Sequence, residues 1–362
     1  MDGEFPGPQS GPMETFESLV RTEFAPEHTY LNTASNGLLP ARTVAAVQEA
    51  VRLRAAGLPI GSLYEDAERV RAAFGRLAGV PAERVAMGAS VAEYGGLIAA
   101  ALPAGAEVLT AEADFSSLVN PFHMRGDLKV RAVPLERLAE SVRPETALVA
   151  VSVVQSADGR IADLPAVREA ARAHGARTYL DASQSAGWLP LEADSYDFLA
   201  AVGFKWLMGP HGNAFFVAPE DFGGLTPLLA GWVAGELPWD SCYGPVQELA
   251  HSVRRFDVSP SLLTYAGLRA SLALIEELGI DAVHAHDLAL ADRFRAGLAR
   301  LGHEPVPSPG SAIVSVPRLG HRQPELSAAG IEVSDRAGNL RAAFHLYNTT
   351  TDVDRLLDVL SS

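Results

Sequence analysis

The sequence predicts an α/β fold: a large domain with a mostly parallel seven-stranded sheet flanked by helices, then a smaller α+β C-terminal domain. Three observations carry this expectation. Seven short apolar runs alternate with helical stretches between residues 84 and 217, the rhythm of strand–helix–strand units. After Pro260 the pattern turns to long helices. The chain has 362 residues, 48% hydrophobic and 20% charged, which is enough to bury a sizeable core and more than one compact unit.

The elements follow in order. Residues 1–12, MDGEFPGPQSGP, lack the basic and apolar regions of a signal peptide and read as a flexible tail, followed by an N-terminal segment over 13–42. Helical spacing runs from Thr43 to about Arg54 and from Leu63 to Ala78, the second ended by Gly79 and Pro81. The strand candidates are Arg84–Met87, Glu107–Thr110, Lys129–Val133, Ala147–Val154, Thr178–Leu180, Phe198–Val202 and Asn213–Val217. Helices Ala92–Ala101 and Leu164–His174 lie between them. The segment Gly223–Gly244, rich in glycine, proline and tryptophan, reads as a long loop of the kind that borders active sites. Helical patterns through Leu278 and from Asp281 to Leu301, then strands and a helix over Asp352–Leu360, complete the chain. The large domain is therefore expected over 43–258 and the smaller one over 259–362.

Charge and composition restrict the function. Acidic residues outnumber basic ones 44 to 29, a formal charge of −15, which opposes binding to nucleic acid or to anionic membranes. No apolar run approaches the roughly 20 residues that span a bilayer. A single cysteine, Cys242, excludes an intramolecular disulfide and a cysteine zinc cluster, and suits a cytoplasmic location. Small-molecule chemistry is the expectation that remains.

The chemistry concentrates in TYLDASQSAGWLPLEADSYDFLAAVGFKWLMGP. Asp181 follows one short apolar strand and Lys205 follows another, which places both at strand ends, where α/β sheets bind ligands. A lysine amine forms a Schiff base with an aldehyde cofactor, and a carboxylate against a pyridine nitrogen keeps that ring protonated as an electron sink. This pair points to pyridoxal 5′-phosphate. Phe204, Trp206, Leu207 and Met208 give Lys205 an apolar setting that favours the neutral amine. The same two residues also suit a snorkelling lysine and a helix-capping aspartate.

GFKWLMGP, preceded by YLDASQSAG, resembles the Schiff-base and pyridinium motifs of class V aminotransferases, a fold-type I family that also holds cysteine desulfurases, kynureninase and isopenicillin N epimerase-like proteins. YLNTASNGLLP, MGASVAEYGG, RRFDVSPS and LRAAFHLYNTTTDVDRLLDVL are similar to its N-terminal signature, phosphate-binding turn, inter-subunit segment and C-terminal ending. The order also matches, and order makes the resemblance specific.

The resemblance implies that Ala89 and Ser90 hold the cofactor phosphate at a helix start, where free N–H groups and the helix dipole favour an anion. Ser90 alone also suits a simple N-cap. Phe115 aligns with the side chain that stacks on the pyridine ring, although an isolated Phe is usually core. Gln155 and Gln184 match positions near the pyridine 3-hydroxyl; a one-residue shift around Gln155 selects Ser156 instead. Ser259 resembles the residue that reaches the phosphate from a neighbouring subunit, so a homodimer is implied. Val202 and Phe204 stand where many relatives carry a serine or threonine and a histidine, so fewer phosphate contacts are expected.

Arginine matches a substrate carboxylate bidentately, and Arg336 and Arg341 are the candidates; Arg336, in EVSDRAGNLR, resembles the family's carboxylate arginine and is favoured, while Arg341 opens the strand-like RAAFHLYN and also suits a structural role. Asn36, in the segment Asn32–Asn36, is a further substrate-binding candidate. His211 reads as a pocket or turn residue. The chain lacks a cysteine beyond Arg336, where the desulfurases of the family carry their nucleophile, and Cys242 reads as incidental. His284, His286 and Asp287 look metal-like, but their helical pattern places them on a solvated face, so no metal is expected.

The expected function is that of a PLP-dependent enzyme acting through Lys205 on an amino-acid-like substrate, first as an aminotransferase. The alternatives are a β-eliminating carbon–sulfur lyase or an epimerase of the same family and, more remotely, a non-catalytic binding protein on this fold.

Overall fold

A computed structural model describes residues 16–59 and 61–362; the tail expected over 1–12 lies outside the described residues. Helix α1 (Phe16–Glu23) and the short strand β1 (Thr29–Tyr30) precede α2 (Ala41–Ala55) and α3 (Gly61–Ala78). Alternation follows: β2 (Val85–Gly88), α4 (Val91–Ala101), β3 (Glu107–Ala111), α5 (Ser116–Met124), β4 (Lys129–Val133), β5 (Thr146–Ser152), α6 (Leu164–His174), β6 (Arg177–Asp181), β7 (Phe198–Val202) and β8 (Ala214–Val217).

These strands form one seven-stranded sheet in the order β2-β8-β7-β6-β5-β3-β4. Only β8 runs against its neighbours. The apolar runs are continuous because both faces are covered. Val149, Val151, Leu180, Leu199 and Ala201 enter one hydrophobic core, while Leu148, Ala150, Tyr179, Phe198 and Ala200 enter another. This one-by-one division between faces is the period of two of a pleated strand.

Helices α7 (Leu262–Leu278) and α8 (Ile280–Arg300) lead into β9 (Ile313–Val316), α9 (Gln323–Ala328), β10 (Ile331–Glu332), β11 (Ser334–Arg336), β12 (Asn339–Ala343) and α10 (Thr350–Ser361). The order β11-β12-β9 makes a three-stranded antiparallel sheet, and β10 pairs with β1, tying the N-terminal segment to the C-terminal one. A separate core of Leu290, Phe294, Val314, Leu340, Phe344 and Leu356 holds this part together. Thr349 and Asp352 start α10 with a reciprocal capping box. Among the described residues no helix is long and apolar enough to cross a membrane.

One local element adds to the sequence expectations and one outcome differs from them. The segment behind Phe115 is helical, α5, despite Pro121 inside it; the proline packs against Gly95 of α4, where a Cβ would stand 3.1 Å from its ring. The expectation of a solvated face for His284, His286 and Asp287 is corrected: Asp287 is completely buried and His284 and His286 are half-buried. Val283, Asp287, Leu290, Ala291, Phe294 and Leu298 form the inward stripe of α8, so the aspartate occupies a core position of a 3.6-residue repeat. The Gly223–Gly244 loop contains only short 3₁₀ turns, and Arg254 holds it through the carbonyls of Val233, Gly235 and Glu236.

Candidate active site

The carboxyl ends of the parallel strands share one edge of the sheet, and the residues singled out from sequence follow them. Ala89 and Ser90 come after β2, Phe115 after β3, Gln155 after β5, Asp181 and Gln184 at and after β6, and Lys205 after β7. The chain order reverses between β5 and β3, the position where open α/β sheets form a ligand crevice.

Lys205 is buried, and its Nζ lies 5.0 Å from the centre of the Phe115 ring and 5.9 Å from that of Phe204. Burial pushes its amine down to about 8; the attraction of Asp181 acts the other way, and Arg341 and Arg336 lower it further. Asp181 is buried as well, and burial raises its carboxyl above the usual range against the opposing pull of Ser183 and Lys205. One carboxylate oxygen accepts the Ser183 N–H at 2.8 Å.

The lysine turn is held tightly. The N–H of Gly37 donates to the Phe204 carbonyl at 2.9 Å, and that of Met208, itself at φ 54°, donates to the Lys205 carbonyl at 3.0 Å. A Cβ on Gly37 would collide with the Lys205 carbonyl, and one on Gly187, at φ +114°, would stand 2.5 Å from the Trp206 carbonyl oxygen. Both positions therefore require glycine.

At the start of α4, Ser90 is the N-cap and accepts the Glu93 N–H at 3.3 Å, while the Ala89 N–H donates to the Glu93 carboxylate at 2.8 Å. An anion thus already sits on this helix start, as the free N–H groups and dipole favour. The strand leading to it is anchored from below: Asp257 accepts the Met87 N–H at 2.8 Å and pairs with the buried Arg71 at 2.6 Å.

Phe115 owes its placement to Asp114, whose carboxylate accepts from the Phe115 and Ser152 N–H groups at 2.7 and 2.9 Å, from the Ser152 hydroxyl and from the Gln155 amide. Sequence reading missed Asp114, although it stands just beyond a strand's carboxyl end like Asp181. Gln155 is turned toward Asp114. Gln184 uses both amide hydrogens, on the Ala34 carbonyl at 2.8 Å and the Ser156 hydroxyl at 3.0 Å, and its oxygen accepts the Trp206 indole N–H. It braces the wall of the crevice.

Two cations stand beside this wall. Arg341 is buried and donates to the Ser156 carbonyl, to the Ser35 hydroxyl at 2.8 Å and to the Ser334 hydroxyl at 3.3 Å, leaving its Nε without a partner. Arg336 is exposed and donates to the same Ser35 hydroxyl at 2.9 Å. Among the described residues neither pairs with a carboxylate, and burial together with Arg336 pushes Arg341 down to about 9. Of the two candidates, Arg341 is the buried one and Arg336 the exposed one. Ser334 also escaped sequence reading: it lies 302 residues from Asn32, whose side-chain oxygen accepts from both the Ser35 and the Ser334 hydroxyls.

Asn36 lies at the exposed rim, bonded to His211 at 2.7 Å, and His211 stacks on Phe204 at 3.9 Å. Val202 is buried in the sheet core, and neither it nor Phe204 offers a phosphate donor. Ser259 is exposed, one residue beyond Val258, whose N–H donates to the Met87 carbonyl. Cys242 is exposed on the long loop, with its thiol directed at the Pro238 carbonyl. No group of residues suited to a metal occurs among the described ones.

The family model for Aminotransferase class-V matches residues 30–356. The chain belongs to that family. It is a PLP-dependent enzyme of fold type I that acts on amino-acid-like substrates. Similar proteins include an uncharacterized aminotransferase, YcbU, of Bacillus subtilis, 26% identical over 92% of this chain and 94% of that protein. Isopenicillin N epimerase of Streptomyces clavuligerus is 27% identical over 96% of this chain and 97% of that protein. In fold, the chain resembles the cystine C–S lyase C-DES solved with cysteine persulfide, with a TM-score of 0.84, 23% identity and coverage of 93% of this chain and 98% of that one.

The residues present fit the cofactor. A buried amine shifted toward neutrality is attracted by a buried carboxylate, an aromatic ring lies over the amine, and a helix start that already attracts an anion completes the set.

Proposed function

We propose that this family member is an aminotransferase whose Lys205 carries the cofactor and whose Arg341 receives the α-carboxylate of an amino acid. The single observation that supports it is the pairing of a buried, downshifted lysine with a buried, counter-ion-free arginine in one crevice. When bound, pyridoxal 5′-phosphate supplies an aldehyde that bonds to amines and a protonated ring that draws electrons from the substrate's α-carbon.

The chain's own residues do the rest. Asp181 would hold the ring nitrogen protonated, and Phe115 would pack against the ring. Ala89 and Ser90 hold the phosphate at the start of α4, with Ser259 of a second copy completing the cup in a homodimer. Gln155, Gln184 and Ser156 form the wall beside the ring's hydroxyl. Arg341 and Arg336, positioned by Ser35, clamp the carboxylate and so orient the α-hydrogen toward the Lys205 amine, which moves the proton. Asn36 and His211 line the entrance. A single cysteine is consistent with residence in the cytoplasm.

A β-eliminating carbon–sulfur lyase is the second reading, supported by the fold likeness to C-DES and by chemistry that needs no cysteine nucleophile. Product analysis separates the two. Transamination gives equimolar amino transfer to a keto acid with no ammonia; ammonia and pyruvate appearing together would establish elimination instead.

A further inference from the structure

Against the lysine turn lies a polar pair that the reaction as proposed does not use. His345 and Asp287 are both completely buried. The imidazole Nδ1 lies 2.9 Å from the Asp287 carboxylate, and Nε2 lies 2.9 Å from the main-chain carbonyl oxygen of Trp206, the residue after Lys205. Both partners of the ring are acceptors, so each contact needs its own hydrogen. A neutral imidazole beside an ionised carboxylate has only one. Deprived of the second hydrogen, a lone pair would face either the Asp287 carboxylate or the Trp206 carbonyl oxygen in a buried site, a costly arrangement.

The ring cannot swing away from this position. Trp206 meets it edge-on at 5.1 Å and Tyr347 at 5.5 Å, and the His345 N–H is fixed by the Asn348 side chain at 2.9 Å. His284 and His286 of α8 and the Tyr347 phenol are the other titratable groups acting on Asp287, whose second oxygen has no hydrogen-bond partner. The carbonyl it steadies is the one that Gly187 approaches from the opposite side, where no side chain would fit.

We propose that His345 and Asp287 are a positioning pair: they keep one extra proton between them and use it to pin the backbone next to Lys205, which sets the direction of its amine. This inference rests on Lys205 being the cofactor-bearing residue.

Two measurements on the full-length protein test it. Without cofactor, proton NMR of the native chain should show a far-downfield, exchange-protected imidazole N–H that vanishes in both His345→Gln and Asp287→Leu. Its absence overturns the shared proton whatever the cofactor does. Then the rate at which added pyridoxal 5′-phosphate becomes borohydride-fixable is followed by absorbance. His345→Leu, which has no donor for the carbonyl, should slow attachment about tenfold relative to native protein. His345→Gln, which restores a donor, should recover most of the rate although it lacks the shared proton. Equal rates in folded His345→Leu and native protein overturn the positioning role. Failure of the native protein itself to attach the cofactor would instead count against the Lys205 assignment.

Discussion

Arg336 and Arg341 converge on one oxygen: their guanidinium groups donate to the Ser35 hydroxyl at 2.9 and 2.8 Å, with no carboxylate among the described residues paired to either. Two like charges held this close repel, and the arrangement is stable chiefly when an anion joins them. Arg341→Met should therefore lower kcat/KM about a hundredfold, the loss of a bidentate charged contact, and Arg336→Gln about tenfold. Steady-state kinetics with the best amino donor checks this. Equal effects at the two positions would return the carboxylate to a shared or exposed site.

The same burial has a thermodynamic signature. Arg341 is pushed down to about 9 by burial, so in the ligand-free protein its charge opposes folding at neutral pH. A cation whose folded value lies below its unfolded one binds more protons when unfolded, so stability rises with pH only above about 9. At pH 7 the penalty is fully present. Arg341→Met should leave the apo unfolding midpoint unchanged or raise it, even as activity is lost; calorimetry of the apo protein decides. A clear drop would mean that its bonds to Ser156, Ser35 and Ser334 outweigh the cost of burying the charge.

Lys205 carries the second pH signature. With the amine at about 8, roughly a tenth is neutral at pH 7, against well under a thousandth for an ordinary lysine. The rate of cofactor attachment to apo protein should rise about tenfold between pH 7 and 9 and then level off. Stopped-flow absorbance across that range checks it, and a rate still climbing steeply above pH 10 would show an unshifted amine.

Much of this was legible in the chain because the causes were local. The strands could be read from continuous apolar runs, since a sheet covered on both faces needs no polar alternation, and Asp181 and Lys205 stand where those runs stop. What escaped was decided by packing between distant segments. The burial of Arg341 depends on Ser35 and Ser156, far away in sequence, and the neighbouring arginine at 336 looks equivalent until the chain is folded. The role of Asp114 appears only when Ser152 and Gln155 arrive from another strand. Asp287 is the instructive case. The helical pattern reads as placing it on a solvated face, yet it stands one helical turn from Val283 and Leu290 and two from Phe294, and is buried with them.

Close approach of backbone at the lysine turn gives a prediction with a steric cause. Gly37→Ala would drive a Cβ into the Lys205 carbonyl, backbone against backbone, where no side chain can yield. The turn must shift, so cofactor attachment should fall at least tenfold, with an unfolding midpoint lowered by several degrees for a loss of about 2 kcal/mol. Absorbance of the reconstituted protein and a thermal melt check both parts. Normal attachment in Gly37→Ala would mean that the N-terminal segment does not brace Lys205.

The last prediction concerns the cup for the cofactor phosphate. Glu93 places a carboxylate against the Ala89 N–H at 2.8 Å, at the same helix start that the phosphate would use. Two anions compete for one set of donors, and the helix dipole favours either by about 0.3–1 kcal/mol. Binding of the phosphate requires the Glu93 side chain to leave that N–H, and a cup otherwise poor in donors, with Val202 and Phe204 beside it, has little to offset the repulsion. Glu93→Gln removes the charge while keeping an acceptor for the N–H, so the affinity of the apo protein for pyridoxal 5′-phosphate should rise about two- to fivefold. Lower ionic strength should enlarge the difference because screening weakens. Equilibrium titration by absorbance, at two salt concentrations, measures it. A weaker complex in Glu93→Gln would mean that the carboxylate supports the bound state, as an acceptor that orders Ala89 and Ser90, and does not compete with it.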